Sequence, residues 1–301
     1  MTIERFKKFK RKDLILTIML MPTLFSIFIY RIAPSVVLVI AFKDLNTQKG
    51  ILNSEWVGLE NFEYLFSRSF GRILFNTITY NLIFIFLITF LSLFIAYGLR
   101  QLQSPKIVTV ILTLFMLPSL LSWIMVSYIS RALFDGNGLL NSVLAFLHKD
   151  PVNWYTDKNP WRVIIIIAYL WKNAGFYILL YYSAMSSIKK EFIYASSVDG
   201  ASKITCLFRI YIPLISKTIS IILLFSLADV LTSDFGLFYN LPRDSGMLYP
   251  VTDVIDTYMY RGLRSGNFEI SAAANFIQSL GGLVFVALIY SIRKMVKKSY
   301  E

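Results

Sequence analysis

The sequence contains very little cysteine or histidine. Among its 301 residues there is one cysteine, Cys206, and one histidine, His148. A single cysteine excludes an internal disulfide, and one histidine cannot supply the usual zinc ligand sets. The composition therefore argues against a disulfide-stabilised secreted domain and against a metalloenzyme.

A phosphate-binding loop is missing as well. Such a loop ends in Gly-Lys-Ser or Gly-Lys-Thr, because backbone amides and the lysine surround the phosphates. None of the 14 glycines is followed by lysine. The Gly-x-Ser-x-Gly and His-Glu-x-x-His motifs are also absent. An enzyme acting at the membrane surface would have to use Asp253 and Asp256, the only spaced acidic pair of interest, so we do not expect this chain to be an enzyme.

Charged residues are scarce, at 16%, whereas hydrophobic residues make up 56% of the chain. This excess of apolar side chains is typical of a protein embedded in a bilayer. A helix needs roughly 20 apolar residues to cross about 30 Å of hydrocarbon. The sequence predicts an all-α membrane protein with about six transmembrane helices, near Leu14–Phe42, Ile73–Leu99, Ile107–Ile129, Val163–Met185, Leu214–Asp234 and Ala272–Ile292.

The first apolar run has two interpretations. The basic residues before it are typical of a secretory signal peptide, but the run exceeds the usual length of about 7–15 apolar residues. No small-x-small cleavage site follows Met21. We therefore expect a spanning helix, in which Pro22 and Pro34 bend the helix rather than end it.

Basic residues outnumber acidic ones, with a net charge of +12. More than half of the 30 basic residues fall in or beside the two chain ends, the Arg100–Lys106 turn and the segment Ser187–Pro213. Lysine and arginine collect on the cytoplasmic side, so both termini are predicted to be cytoplasmic. The expected organisation is a basic arm (1–13), one transmembrane domain (14–292) and a tail (293–301). Anionic lipid explains the charge, and no nucleic-acid partner is expected.

A polar segment, Ser187–Pro213, separates the fourth and fifth apolar runs. Glycine accommodates the left-handed conformation at a helix end, so Gly200 predicts a break between two short helices, the second starting near Ser202. Their apolar positions are Ile188, Phe192 and Ala195 in the first helix, and Ile204, Leu207, Phe208 and Tyr211 in the second. Such helices either lie on lipid headgroups or insert into a groove of a cytoplasmic partner.

The same segment carries a family resemblance. The pattern Tyr194-Ala195-Ser196, three residues, Gly200, nine residues, Ile210-x-Ile212-Pro213 resembles the EAA loop of the permease subunits of bacterial ABC importers. That loop reads Glu-Ala-Ala, three residues, Gly, nine residues, Ile-x-Leu-Pro. Flanking stretches are similar to the sugar and polysaccharide branch of the family: Phe42-Lys43-Asp44, Trp56 to Phe62, Trp171-Lys172 and Asp253 to Tyr258.

The resemblance implies a type I ABC importer permease in the bacterial plasma membrane. Its expected partners are a second permease subunit, two copies of an ABC ATPase, an extracytoplasmic solute-binding protein and a carbohydrate, most simply an oligosaccharide. This chain would bind no cofactor, and ATP and Mg²⁺ would belong to the ATPase. The external loops are rich in tryptophan and tyrosine. These side chains either form an aromatic belt at the membrane interface or, as a group, a docking rim for the binding protein.

In the family this loop forms a coupling helix that docks on the ATPase. The resemblance implies coupling roles for Ile188, Glu191, Phe192, Tyr194, Ala195, Ser196, Asp199, Gly200, Ala201 and Phe208. Two positions depart from the pattern, since Tyr194 replaces the motif glutamate and Ser196 replaces its second alanine. The carboxylate contact is lost, so Tyr194 is expected to pack through its ring.

Polar side chains inside the spans are the candidates for a substrate pathway, because burying them in hydrocarbon is costly unless they have partners, water or a ligand. These candidates are Asn173, Tyr177, Tyr181, Asp229, Asp234, Asn275 and Gln278. The first three repeat every four residues and so share one helical face. The other interpretation is internal pairing, for example Lys172 with Asp229.

Three alternatives stay open at this stage. The partner permease could hold most of the ligand contacts, and the solute could be polar without being a sugar. A secondary transporter would commonly show internal repeats with broken helices, and the sequence shows no such repeat.

Overall fold

The computed structural model describes residues 11–63, 65, 67–198 and 200–300. Residues 1–10 of the predicted arm and the predicted coupling residue Asp199 lie outside them. The described helices are α1 (Arg11–Ile27), α2 (Gly50–Asn53), α3 (Glu60–Glu63), α4 (Arg68–Arg100), α5 (Pro105–Leu120), α6 (Trp123–Phe134), α7 (Leu139–Phe146), α8 (Trp161–Ser186), α9 (Lys190–Val198), α10 (Lys203–Cys206), α11 (Ile212–Leu214), α12 (Ser216–Ala228), α13 (Phe235–Asn240), α14 (Tyr249–Thr252), α15 (Ile255–Arg264) and α16 (Phe268–Tyr300). Strands β1 (Lys43–Asp44) and β2 (Glu55–Trp56) form a short antiparallel hairpin with Lys43 opposite Trp56.

Within the described residues, four helical segments are long and apolar enough to cross a membrane: Leu14–Phe42, Ser69–Arg100, Trp161–Ser186 and Phe268–Ala287. Two further segments are bent pairs: Pro105–Leu120 with Trp123–Phe146, at 93°, and Lys203–Leu214 with Ser216–Ala228, at 71°. Counting each bent pair as one span gives up to six, which is the predicted number. The all-α membrane fold is confirmed.

The third and fifth predicted spans were wrong as continuous helices. The third breaks after Leu120, where Ser122 accepts a hydrogen bond from the amide of Met125 and so begins α6. The fifth bends at Ile215, and its helix ends at Ala228. The candidate pathway residues Asp229 and Asp234 therefore follow this helix rather than lying inside it.

The first span continues through both of its prolines, as predicted. Pro22 lies inside α1. Pro34 is preceded by a π-helical turn, Phe28–Ile32, and begins a 3₁₀ helix, Ala33–Phe42. Because proline has no amide hydrogen, the hydrogen bonding around it shifts away from the α pattern while the chain stays helical.

The packing of α4 against α8, which run in the same direction, forms the centre of the bundle. Near the end that carries α13, the rings of Phe84 and Tyr169 stack with centroids 3.8 Å apart, and Tyr80 packs edge-on against Phe238. Small residues allow close approach elsewhere, since Gly175 of α8 lies against the backbone of α5. Tight aromatic packing and a close backbone contact thus fix α8 between its neighbours.

Gly175→Ala should lower the free energy of unfolding by about 1–3 kcal/mol, as overpacking of a filled interface does. A Cβ at this position would collide with the carbonyl of Phe115. The matched control is Gly98→Ala in α4, where an added Cβ meets no atom within 4 Å and helix propensity improves. Thermal unfolding of the two purified variants compares them, and equal midpoints would contradict the close approach.

Candidate functional site

A polar cavity of about 210 Å³ lies between α4, α8 and the non-helical residues 229–234. Four of the predicted pathway residues line it, Asn173 and Tyr177 from α8 together with Asp229 and Asp234. The other polar lining residues are Asn81, Tyr169, Ser226 and Thr232. The structure therefore brings together residues from distant parts of the sequence around one water-accessible space.

One wall of the cavity is backbone that has left helical geometry. The Asn81 side-chain amide donates to the carbonyls of Val230 at 2.8 Å and Thr232 at 3.2 Å. These hydrogen bonds supply donors that the broken helix no longer provides. Sequence reasoning missed Asn81, although an amide inside the apolar run of α4 meets the same criterion that selected Asn173.

The opposite side of this wall is held by α15 and α16. Gln278 donates to the Leu231 carbonyl at 2.8 Å and to the Asp256 carboxylate at 3.2 Å. The same carboxylate oxygen accepts from the backbone amide of Ser233 at 2.7 Å. The structure thus places Gln278, a predicted pathway residue, behind the cavity wall, where it contacts the wall's backbone.

Asp234 fixes the position where the chain becomes helical again. One of its oxygens accepts from the indole N–H of Trp123 at 2.6 Å, and the other accepts from the Leu237 amide at 3.4 Å at the start of α13. The ring of Trp123 lies directly against Gly236, where a Cβ would collide with it. Sequence reasoning missed Trp123, because only the fold brings it to Asp234.

Lys172 does not pair with Asp229. Its ammonium donates to the carbonyl of Ser119 at 3.2 Å and lies 5.3 Å from the centre of the Trp123 ring. Carbonyls in the last turn of a helix lack intrahelical donors, and Ser119 lies in the last turn of α5. The lysine therefore satisfies the end of α5, and the proposed helix-to-helix ion pair is not formed.

Asp229 is the acidic cavity residue whose carboxylate faces open space. It follows the last residue of α12, and its side chain is exposed. Within the described part of the chain, no side chain forms an ion pair or hydrogen bond with its carboxylate. Its surroundings are the open cavity.

Two predicted pathway residues lie elsewhere. Tyr181 is fully buried in the apolar cluster that packs α4 against α8. Asn275 lines a separate cavity of about 510 Å³ between the first span and α16, together with Arg31 and Ser279. The shared helical face of Asn173, Tyr177 and Tyr181 thus reaches the cavity with its first two members.

The polar segment after α8 forms two short helices, as predicted. The first, α9, ends at Val198, and Gly200 follows with φ of +67°. The amide of Ala201 bonds back to the Ser196 carbonyl at 3.0 Å, which closes the turn. Ser202 then begins the second helix by accepting from the amide of Thr205 at 3.2 Å.

Several apolar side chains of this segment are left uncovered. Tyr194 is 63% exposed, and Phe192, Ile204 and Phe208 are also exposed. Glu191 is exposed beside them, whereas Ile188 is half-buried. Ser196 is buried and donates to the carbonyl of Ile193 at 2.8 Å. Among the predicted coupling residues, Phe192, Tyr194 and Phe208 are therefore exposed aromatic groups, whereas Ile188 packs against the apolar cluster of the bundle.

The hydroxyl of Tyr97 attaches the segment to α4. It donates to the carbonyl of Lys203 at 2.8 Å, and its ring packs edge-on against Tyr211 with centroids 5.1 Å apart. This attachment was not predicted from the sequence. Tyrosines are common near helix ends at membrane interfaces, so the position of Tyr97 alone does not indicate a specific contact.

The acidic pair Asp253 and Asp256 does not form one site. Asp253 pairs with Arg261 and accepts from the Thr257 hydroxyl at 2.7 Å, whereas Asp256 contacts the cavity wall. Burial acts to lower the pKa of Arg261, but the adjacent carboxylates of Asp253 and Asp244 outweigh it and raise that pKa. Arg261 also packs on the ring of Tyr249 at 4.1 Å. Both acids therefore have hydrogen-bond or ion-pair partners within the fold, and these partners differ.

Burial raises the pKa of the Asp256 carboxyl, while hydrogen bonds from Ser233 and Gln278 oppose the shift. The contribution of Asp256 to the free energy of unfolding is therefore fully present below the ordinary carboxyl pKa. This contribution decreases as the pH rises through the raised pKa. Asp256→Asn retains an accepting oxygen without the charge. The unfolding midpoint of this variant should therefore fall less than that of the wild type as the pH is raised from the ordinary carboxyl pKa through the raised pKa. Asp256→Leu leaves the Ser233 amide unpaired and removes one of the two hydrogen bonds of Gln278, and it should cost about 1–3 kcal/mol. Identical unfolding curves for the two variants would contradict this arrangement.

The chain matches, over residues 106–298, the family described as the inner membrane component of binding-protein-dependent transport systems. It is 29% identical to the polygalacturonan/rhamnogalacturonan transport system permease protein YteP of Bacillus subtilis (strain 168), covering 96% of this chain and 93% of YteP. A chain in the crystal structure of a bacterial ABC transporter involved in the import of the acidic polysaccharide alginate is 27% identical, with a TM-score of 0.85 over 95% of this chain and 97% of that chain. A chain of a bacterial alginate ABC transporter in complex with an alginate pentasaccharide-bound periplasmic protein is 28% identical, with a TM-score of 0.85 over 98% and 99%.

Proposed function

This chain belongs to the family of inner membrane components of binding-protein-dependent transport systems, and we propose that it is the permease subunit of an ATP-driven importer of an oligosaccharide. The observation that carries the proposal is the polar cavity inside the bundle, where Asn173, Tyr177 and Asp229 surround open space. Hydroxyl-rich ligands exchange water for such groups, and aromatic rings bind flat sugar faces. The similarity to YteP, a polygalacturonan/rhamnogalacturonan transport permease, and to the alginate transporter supports a carbohydrate as the substrate.

The exposed surface of the polar segment requires a partner. We place a cytoplasmic ATPase there, in two copies per complex, with ATP and Mg²⁺ bound by the ATPase. A second permease subunit would complete the membrane pathway. The alginate transporter's complex with a sugar-bound periplasmic protein supports an extracytoplasmic binding protein as the third kind of partner. This chain would itself bind no cofactor.

The orientation follows from charge. Both termini and the segment 187–213 would face the cytoplasm, and residues 14–292 would form the membrane domain between the basic arm and the tail. The loops containing α13 to α15 would then face outward. There the Arg261 contacts with Asp244 and Asp253 hold a structured surface to which the binding protein would dock.

Transport would proceed by alternating access. ATP binding would move the docked segment, and its attachment through Tyr97 would pass that movement to α4. Helix α4 also holds the cavity wall through Asn81. Two arrangements of the bundle would then open the cavity outward and inward in turn, and nucleotide would shift the balance between them.

Tyr194→Ala should reduce ATP-dependent uptake and weaken ATPase association by about tenfold or more, because a buried aromatic anchor at an interface contributes about 2 kcal/mol or more. Tyr194→Glu restores the family's usual residue and tests whether a carboxylate also fits this ATPase. The matched control is Tyr128→Ala in α6, a tyrosine that is also largely exposed. Co-purification and uptake in vesicles measure both effects, and unchanged association in Tyr194→Ala would exclude the proposed contact.

Tyr177→Ala should lower oligosaccharide uptake by about tenfold while the complex still assembles, because loss of an aromatic contact with a ligand costs about 1 kcal/mol or more. Its neighbour Phe176 is 52% exposed and does not line the cavity. Phe176→Ala is therefore the matched control and should retain near-normal uptake. Equal losses in the two variants would indicate general damage to α8, and normal uptake by Tyr177→Ala would remove Tyr177 from the pathway.

A further inference from the structure

In the part of the chain that the structure describes, the charged side chains that line the cavity are all acidic. The lining includes the carboxylates of Asp229 and Asp234 and, among the described residues, no lysine, arginine or histidine. The carboxylate of Asp234 is compensated, since both of its oxygens accept hydrogen bonds and the Lys172 ammonium lies 5.3 Å from the centre of the ring of its partner Trp123. The uncompensated charge of the cavity is therefore that of Asp229.

The amide side chains of the lining contribute further hydrogen-bond acceptors to the cavity, in addition to the carboxylates. Asn81 commits its N–H groups to the carbonyls of Val230 and Thr232, and Asn173 donates to the carbonyl of Tyr169 at 3.0 Å. Their oxygens remain as acceptors. The hydroxyls of Tyr169, Tyr177, Ser226 and Thr232 in the lining can donate as well as accept. The amide oxygens and the Asp229 carboxylate only accept, so a ligand that complements them must bring donors, and an ionised carboxyl group has none to offer.

We propose that Asp229 makes this cavity selective for neutral saccharides over uronic-acid saccharides. The inference rests on the proposed function, because it assumes that the cavity receives the transported sugar. Sugar hydroxyls donate charge-assisted hydrogen bonds to a carboxylate. A uronate in the same space meets a like charge in surroundings that water screens only in part. The substrate class would then differ from that of the alginate transporter, which is involved in the import of an acidic polysaccharide, despite the shared fold.

The test uses the assembled transporter in lipid nanodiscs without the binding protein, so that capture outside the membrane does not determine the result. Two oligosaccharide pools serve as probes, a neutral pool from glucan, galactan and mannan and an acidic pool from polygalacturonate and alginate. Equilibrium dialysis with mass spectrometry measures binding of each. We expect the neutral pool to bind about tenfold or more tightly than the acidic pool, as repulsion between like charges at short range predicts.

Asp229→Asn should reduce this preference by about tenfold, since it removes the repulsion and weakens the bonds to neutral sugars. The matched control is Asp150→Asn, which removes an exposed carboxylate from the loop between α7 and α8 and should leave the preference unchanged. A preference for the acidic pool, or an equal preference in wild type and Asp229→Asn, would overturn the inference and leave the proposed function intact. Failure of the wild-type complex to bind either pool would instead overturn the assumption that the cavity is a saccharide site.

Discussion

Backbone polar groups within a membrane must find hydrogen-bond partners inside the protein, because hydrocarbon supplies none. Residues 229–234 leave helical geometry and so lose the partners that a helix would provide. Asn81, Gln278 and Asp256, from three different helices, replace them. The cavity depends on this arrangement, since without it the broken backbone could not remain inside the bundle.

The break also determines what the cavity contains. Ending α12 at Ala228 places Asp229 at the edge of open space, and the next helix begins only when Asp234 accepts from the Leu237 amide. A continuous helix would carry both carboxylates on its own surface, where lipid or a neighbouring helix would have to accommodate them. The two acids thus acquire different surroundings, although only five positions separate them in the sequence.

The sequence allowed prediction of features that depend on single residues or on properties summed over neighbouring residues. Hydropathy sums over neighbouring residues, so the apolar runs were found, and the turn at Gly200 follows from the conformations that glycine accommodates. The bends near Ser122 and Ile215 were missed, because an apolar run has the same hydropathy whether it is straight or bent. Lys172 was assigned a carboxylate partner on charge alone. Its actual partner, the Ser119 carbonyl, is available only because α5 ends there.

The two functional regions of the chain share α4. Asn81 and Tyr97 lie ~24 Å apart along that helix at a rise of about 1.5 Å per residue, and the first contacts the cavity wall while the second contacts the polar segment. A helix of 33 residues with continuous backbone hydrogen bonds resists bending, so displacement of one contact displaces the other unless that contact breaks. Coupling over this distance therefore needs no chain of small rearrangements. It requires only that the hydrogen bonds of Asn81 and Tyr97 persist while the bundle changes between the two proposed arrangements.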